Sequence, residues 1–340
     1  MRRKVWSSVA AVLVAAAISI AVAFQFQRSD PASQKRLAPP VKLVIGTPWI
    51  PSSGNVLLAK QLGFFRDEGL DVSLQPYPSG QLAFADLLNG KSDLAIVGGT
   101  PLAFESLRGA RFYVLATTYE SDDSTKMIGR RDRGIAKPQD LAGKKLGTGF
   151  TTTSEFVQDS ILALHEVDPK SIFRVNLAPA RTVDALLAGE VDAVTIWAPQ
   201  SFELIKRLGD AAAVFSDKTL YTTTINLVAR DDLVKQHPEV LRSVLAALVR
   251  ANAFARSDSA RAVREVAQAL GLDEAVVKAD WNPLKFTVAL NQSLIIFLED
   301  QARWAIRRRL VEATEVPNFL NWIHADALAA IKPDAVSVIR

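Results

Sequence analysis

The chain has 340 residues, 49% of them hydrophobic and 22% charged, and a formal net charge of +4, three of which are Arg2, Arg3 and Lys4. That length holds two domains or one large one with a sizeable core, and the near-neutral remainder, with no Lys/Arg run interleaved with aromatics, gives no support for a nucleic-acid surface; Arg307-Arg308-Arg309 reads as a solvated helix face. The absence of cysteine excludes disulfides, thiolate zinc sites, a catalytic cysteine and a lipid-bearing one, and His165, His237 and His324 stand far apart without metal or triad spacing, so no catalytic set, metal or cofactor is expected.

Along the chain, Arg2-Arg3-Lys4 precedes an apolar stretch, residues 9–24, broken only by Ser19, and Ala21-Val22-Ala23 fits the small-x-small cleavage rule. Residues 1–24 are read as an export signal, or as an anchor if uncleaved, which places the protein in the periplasm, free or tethered to the inner membrane. Residues 25–40 read as a linker. A short apolar strand at 41–45 then ends in a turn-rich loop carrying Gly46, Thr47, Trp49, Ser52, Ser53 and Asn55. Helix 56–65, strand 71–74, a helix opened by Ser79-Gly80 and strands at 94–97 and 112–116 follow, the alternation of a parallel sheet.

The pattern then repeats. Leu87-Leu88-Asn89-Gly90-Lys91-Ser92-Asp93 runs into an apolar strand and Pro101; Leu186-Leu187-Ala188-Gly189-Glu190-Val191-Asp192 does the same before Pro199. Gly46-Thr47 and Gly147-Thr148 are 101 apart, as are Ser53 and Ser154. Matches at nearly constant offset point to duplication: two α/β lobes with a cleft between them. Strands at 126–129 and 223–229 cross to the second lobe and back. The expected segments are 41–122 as the first part of lobe 1, 123–222 as lobe 2, and 223–340 as the rest of lobe 1 with C-terminal helices. Those helices are placed at 238–256, 260–270, 273–280 and 288–310.

Ligands of open parallel sheets sit beyond the carboxyl ends of the strands. The residues delivered there are Thr47, Trp49 and Ser53, then Gly98, Gly99 and Thr100, then Thr152, Thr153 and Ser154, with Arg181 and Trp197 on later loops. Thr152 and Glu155 fit a capping box, Thr100-Pro101 a cap followed by Pro at the first helical position, and Pro199 the same position in its helix. Hydroxyls and helix N-termini converging in this way can bind an oxyanion without a cationic residue; plain capping is the competing reading. Trp49 and Trp197 supply flat apolar or cation–π surface, or pack in a hinge. Arg181 can grip an anion or form a surface ion pair.

Four segments carry a resemblance: Gly63-Phe64-Phe65-Arg66-Asp67-Glu68-Gly69-Leu70-Asp71-Val72, Asp140-Leu141-Ala142-Gly143-Lys144-Lys145-Leu146-Gly147, Leu186 to Ala193 with Trp197 and Pro199, and His237-Pro238-Glu239-Val240. Over most of residues 41–330, in this order, the chain resembles the sulfonate/taurine/nitrate-type substrate-binding proteins of ABC transporters, which are related to thiamine-pyrimidine binders. The resemblance implies an α/β fold of the type II periplasmic-binding-protein clamshell class: two lobes, each a mostly parallel sheet flanked by helices, joined by two crossover strands, with a helical tail. It implies a monomeric, non-enzymatic binder of a small organic anion that docks on permease subunits. The ligand contacts it implies are Thr47 and Trp49, Gly98 to Thr100, Thr152 to Ser154, and Trp197. The loop from Pro48 to Asn55 departs from the family pattern. A pyrimidine or other neutral aromatic ligand, a tethered sensor without transport, and a pyrimidine synthase using its own histidine are the rival readings.

Overall fold

The computed structural model describes residues 39–339, so the expected export segment and all but the last two linker residues lie outside the described residues. Strand β1 (Val41–Pro48) leads through α1 (Gly54–Gln61) and α2 (Phe64–Asp67) to β2 (Leu70–Tyr77). Then come α3 (Gly80–Leu88), β3 (Leu94–Gly98), α4 (Gly99–Leu107) and β4 (Phe112–Ser121). A second run holds β5 (Thr125–Arg130), β6 (Lys145–Thr148), α5 (Thr153–Leu164), β7 (Phe173–Asn176), α6 (Pro179–Ala188), β8 (Ala193–Trp197), α7 (Gln200–Leu208) and β9 (Ala212–Phe215). The last run is β10 (Thr223–Arg230), α8 (Asp231–Gln236), α9 (Pro238–Ser257), α10 (Ser259–Leu270), α11 (Glu274–Asp280), β11 (Phe286–Ala289), α12 (Gln292–Arg307) and α13 (Asp326–Ile331).

The strands form two sheets, ordered β2-β1-β3-β10-β4-β11 and β7-β6-β8-β5-β9. The orders match position by position: β6, β7, β8 and β9 stand where β1, β2, β3 and β4 stand. In each sheet the strand arriving from the other, β10 or β5, is inserted antiparallel before the last member of that set. Strands β1, β2 and β3 run parallel, as do β6, β7 and β8, while β11 runs against β4. Both sheets are therefore mixed, with most strands pointing one way.

The repeated Asp has the same task in both copies. Asp93 Oδ2 accepts from the backbone N–H of Val44 at 2.8 Å, and Asp192 Oδ2 from that of Lys145 at 2.9 Å. The Asp93 and Asp192 N–H groups return bonds to the carbonyls of the same two residues at 2.9 and 2.8 Å. Each carboxylate thus fixes the register of its strand pair, β1 with β3 and β6 with β8, and each is met from the other side by Arg230 or Arg133. Gly90 and Gly189, both at φ 75°, provide the left-handed stop that ends the preceding helix.

Side chains alternate across each strand, so the second sheet carries two cores. Met127, Leu146 and Ala193 face one with Phe156 and Ile161; Ile128 and Val194 face the other with Leu186 and Leu204. Phe104 of α4 and Trp304 of α12 join the first of these. Trp304 Nε1 donates to Asp159 Oδ2 at 2.9 Å, and Arg308 and Arg174 also pair with that buried carboxylate. The first sheet packs against α1, α3, α9, α10 and α13 through one larger core.

The expected helix at 288–310 is corrected. Its first residues belong to β11, which pairs with β4 through Phe286–Tyr119 and Ala289–Thr117, and helix α12 begins only at Gln292. An apolar run beside an open sheet edge takes the pairing on offer, whatever its helical spacing.

Candidate functional site

A cavity enclosing about 660 Å3 of space, its open mouth included, lies between residues of the two sheets. From the first sheet, Pro48 comes from the end of β1 and Ile50 and Ser52 from the loop after it, Ser79, Gly80 and Gln81 from the start of α3, and Gly98 and Pro101 from the β3–α4 junction. The second sheet contributes Thr152 and Thr153 before and at the start of α5, and Trp197 and Ala198 at the end of β8. Tyr119, Ser124, Thr125, Thr223 and Ile225 come from the two crossover segments, and Asp280 from the last turn of α11. Most of the wall is thus made at the carboxyl ends of strands, where the open-sheet rule puts it.

Two helix N-termini reach this wall without a capping side chain. The cap position of α4 is Gly98, two residues earlier than the expected Thr100, so Pro101 stands inside the first turn. At α5, Thr152 occupies the cap position, but the expected capping box does not form. The Thr152 hydroxyl donates backwards to the Gly149 carbonyl at 2.6 Å, and Glu155 Oε2 accepts from the Thr151 N–H at 2.7 Å. Thr151 sits at φ 58°, and this left-handed turn points Glu155 one residue away from the box geometry. The first N–H groups of both helices therefore lack an intrahelical or side-chain acceptor. At α3, Ser79 Oγ accepts from the Leu82 N–H at 3.4 Å. Pro199 is the cap residue of α7, after a cis Ala198–Pro199 bond, and not its first helical residue.

Of the residues selected from sequence, Gly98, Thr152, Thr153 and Trp197 line the cavity. The others stand elsewhere for identifiable reasons. Thr47 is fully buried, and its hydroxyl and that of Ser53 both donate to the Pro48 carbonyl, at 3.3 and 2.7 Å. Trp49 packs on the core of the first sheet. Gly99 is pressed against Thr224 and Gln301, which a Cβ would meet at 3.0 and 3.2 Å. Thr100 is buried and donates to Thr153 Oγ1 at 3.3 Å, while the buried Ser154 hydroxyl has no partner. The Arg181 side chain is 60% exposed and pairs with Glu190 at 3.0 Å, so it makes the surface ion pair. Thr100–Thr153 and a short bond from Gln81 Nε2 to Thr151 Oγ1 both join residues of the first sheet's helices to the α5 region.

Sequence reasoning passed over Ser79 to Gln81, Tyr119, Thr125 and Asp280. Ser79-Gly80 was legible as a helix start after a strand, which the open-sheet rule alone would have put in the cleft. Tyr119 and Thr125 lie where a crossover begins and ends, and only the topology brings them together. Asp280, inside a helical run, carries no local signal. Thr125 Oγ1 and Trp197 Nε1 are buried on the cavity wall without hydrogen-bond partners, and the Tyr119 hydroxyl, with Ser121 close by, makes no hydrogen bond of good geometry. Burial, then the nearby charge of Asp280, pushes the Tyr119 hydroxyl pKa up; burial pushes Asp280 up as well, against the pull of Lys285 and Lys126. No histidine lines the cavity, and no cluster of three metal-ligating side chains occurs among the described residues.

The sequence pattern of the NMT1/THI5-like family matches residues 50–262. The chain belongs to that family. The taurine-binding periplasmic protein of Escherichia coli strain K12 is 24% identical to this NMT1/THI5-like chain over 185 residues, 53% of this chain and 56% of that protein. The matched stretch thus spans little more than half of that relative's length. The alkanesulfonate-binding protein SsuA from Xanthomonas axonopodis pv. citri, solved bound to MOPS, superposes with a TM-score of 0.74 at 22% identity, over 85% of this chain and 99% of SsuA. The two-sheet arrangement with its C-terminal helices is therefore the periplasmic-binding-protein fold. The desulfurization enzyme DSZB shares it at a TM-score of 0.63 and 17% identity, covering 85% of this chain and 98% of DSZB, so the fold alone does not separate binder from enzyme.

Proposed function

We propose that this chain is the solute-binding component of an ABC importer and holds a small organic oxyanion, an alkanesulfonate, taurine-like compound or carboxylate, in the cavity between its lobes. The observation that carries the reading is the pair of uncapped helix N-termini, α4 and α5, meeting at one cavity beside hydroxyls and Trp197. Backbone N–H groups and the positive helix ends receive an anion without a Lys or Arg, and the Trp197 face covers the organic part. The relatives named as taurine- and alkanesulfonate-binding proteins support the ligand class. Residues 41–122 with 223–340, and residues 123–222, form the lobes, which rotate about the two crossover segments and close on the ligand. The closed, loaded form is what a permease recognises. The protein works as a monomer in the periplasm after export, with residues 1–24 removed; the intact mass of the exported chain tests the cleavage.

Thermal unfolding of the purified protein with alkanesulfonates, nitrate, carboxylates and pyrimidines tests the ligand class. Ligand at a hundredfold excess over its Kd adds about 2.7 kcal/mol of stability, so a true ligand produces a clear rise in Tm. A rise with sulfonates or carboxylates is the expected result. No rise with any oxyanion sinks the reading, and a rise with pyrimidines alone replaces it with a neutral aromatic ligand stacked on Trp197.

A further inference from the structure

Among the described residues, the cavity wall carries one charged side chain, and it is an acid: Asp280. Its side chain is 10% exposed, and Lys285 Nζ lies 3.1 Å from Oδ1. No donor among the described residues meets Oδ2. The neighbouring Lys126 is already paired with Asp123, so no cation is left over in this part of the wall to receive an anion. Beside the acid, Tyr119 is 2% exposed with Ser121 close by, yet its hydroxyl makes no hydrogen bond of good geometry. Thr125 Oγ1, 8% exposed, is also unpaired on the same wall.

A buried carboxylate with one open oxygen repels a bare anion and attracts a cation or a charged N–H donor. Hydroxyls buried on the same wall without a good partner are costly unless something in the cavity meets them. The uncapped N-termini of α4 and α5 on the same cavity ask for the opposite charge. A ligand answering both demands has two poles. We propose that the ligand is a zwitterion whose ammonium, or other protonated nitrogen, is held by Asp280 with Tyr119 and Thr125 beside it. This rests on the reading of the cavity as an oxyanion site and narrows the substrate class within it. Asp280 is then the residue that separates amino-bearing oxyanions from plain ones.

Calorimetric titration of the full chain with the two- and three-carbon ω-aminoalkanesulfonates, against alkanesulfonates of the same chain length, tests this. The wild type is expected to prefer at least one amino compound over its plain counterpart by about tenfold or more, the value of one charge-assisted hydrogen bond. In Asp280→Asn that ratio falls to about one. Lys285→Met breaks the same ion pair but leaves the carboxylate, and it keeps the preference. Equal affinities in the wild type overturn the proposal. So does an unchanged ratio in Asp280→Asn, or a ratio lost equally in Lys285→Met, which would make the ion pair a purely structural brace. If no compound of either series binds, and nitrate and carboxylates also fail, the oxyanion reading itself falls.

Discussion

Thr125 and Trp197 hold polar atoms that the folded chain buries at the cavity and does not pair. An unpaired buried hydroxyl costs about 1–3 kcal/mol, so it persists where function opposes its loss. Thr125→Val, close in shape, is expected to leave the ligand-free protein as stable as the wild type or more stable by about 1 kcal/mol, while lowering ligand affinity several-fold. Chemical unfolding and titration of the same sample check both halves; a loss of stability with no change in affinity would make Thr125 a structural residue. Trp197→Ala is expected to weaken binding by about tenfold, the loss of one aromatic contact face, read by calorimetry. At this scale the place of Trp197, Thr152, Thr153 and Gly98 on the cavity wall was legible in sequence, because each ends a strand or opens a helix. Thr47, Ser53 and Thr100 follow the same rule and yet turn inward, because nearby carbonyl or hydroxyl groups capture their hydroxyls. Local spacing does not encode which way a hydroxyl turns.

Elements explain why the repeat was readable. The Gly ends a helix, and the Asp ties the next strand to its parallel neighbour through paired backbone bonds. Both jobs need particular residues at fixed positions, so both survive as sequence. Asp93→Ala and Asp192→Ala are each expected to lower stability by about 2 kcal/mol, the range for hydrogen bonds to a charged group. Denaturant titration measures this, and a change below about 0.5 kcal/mol in both would remove the register role from the account. Gly189→Ala should be worse tolerated than Gly90→Ala, although both sit at φ 75°. A Cβ at residue 189 would lie 1.8 Å from Arg133 Nη2 and force that guanidinium off its bonds to the Gly189 carbonyl and Asp192, whereas at residue 90 the nearest atom, Arg230 Nη1, is 3.9 Å away. Strand β11 escaped the sequence reading because its state is set by the free edge of β4, some 170 residues earlier, and not by its own composition.

At the scale of the molecule, two sheets of the same order face one cavity, and beside it two polar bonds, Gln81 to Thr151 and Thr100 to Thr153, join the first sheet's helices to the α5 region, in addition to the packing of Phe104 and Trp304 on α5. The Gln81 bond is lost when the lobes open widely, so Gln81→Ala should speed ligand release several-fold, with unfolding stability lowered by no more than about 1 kcal/mol, the net value of one such hydrogen bond. Stopped-flow dissociation against a competing ligand measures it. The alternation of helices and strands, and the repeat, made the two-lobed fold legible in the sequence. The cavity was less so, because much of its wall, from Tyr119, Thr125 and Thr223 to Asp280, is assembled by the crossovers and the C-terminal return, which no local pattern announces. Anion binding at the two helix ends is tested most directly by a crystal structure of the protein with a bound alkanesulfonate or aminoalkanesulfonate, the anion located by the anomalous signal of its sulfur. The sulfonate oxygens are expected within hydrogen-bond distance of the first backbone N–H groups of α4 and α5, with Trp197 against the carbon chain. A sulfonate found away from both helix ends, or outside the cavity between the sheets, would contradict it.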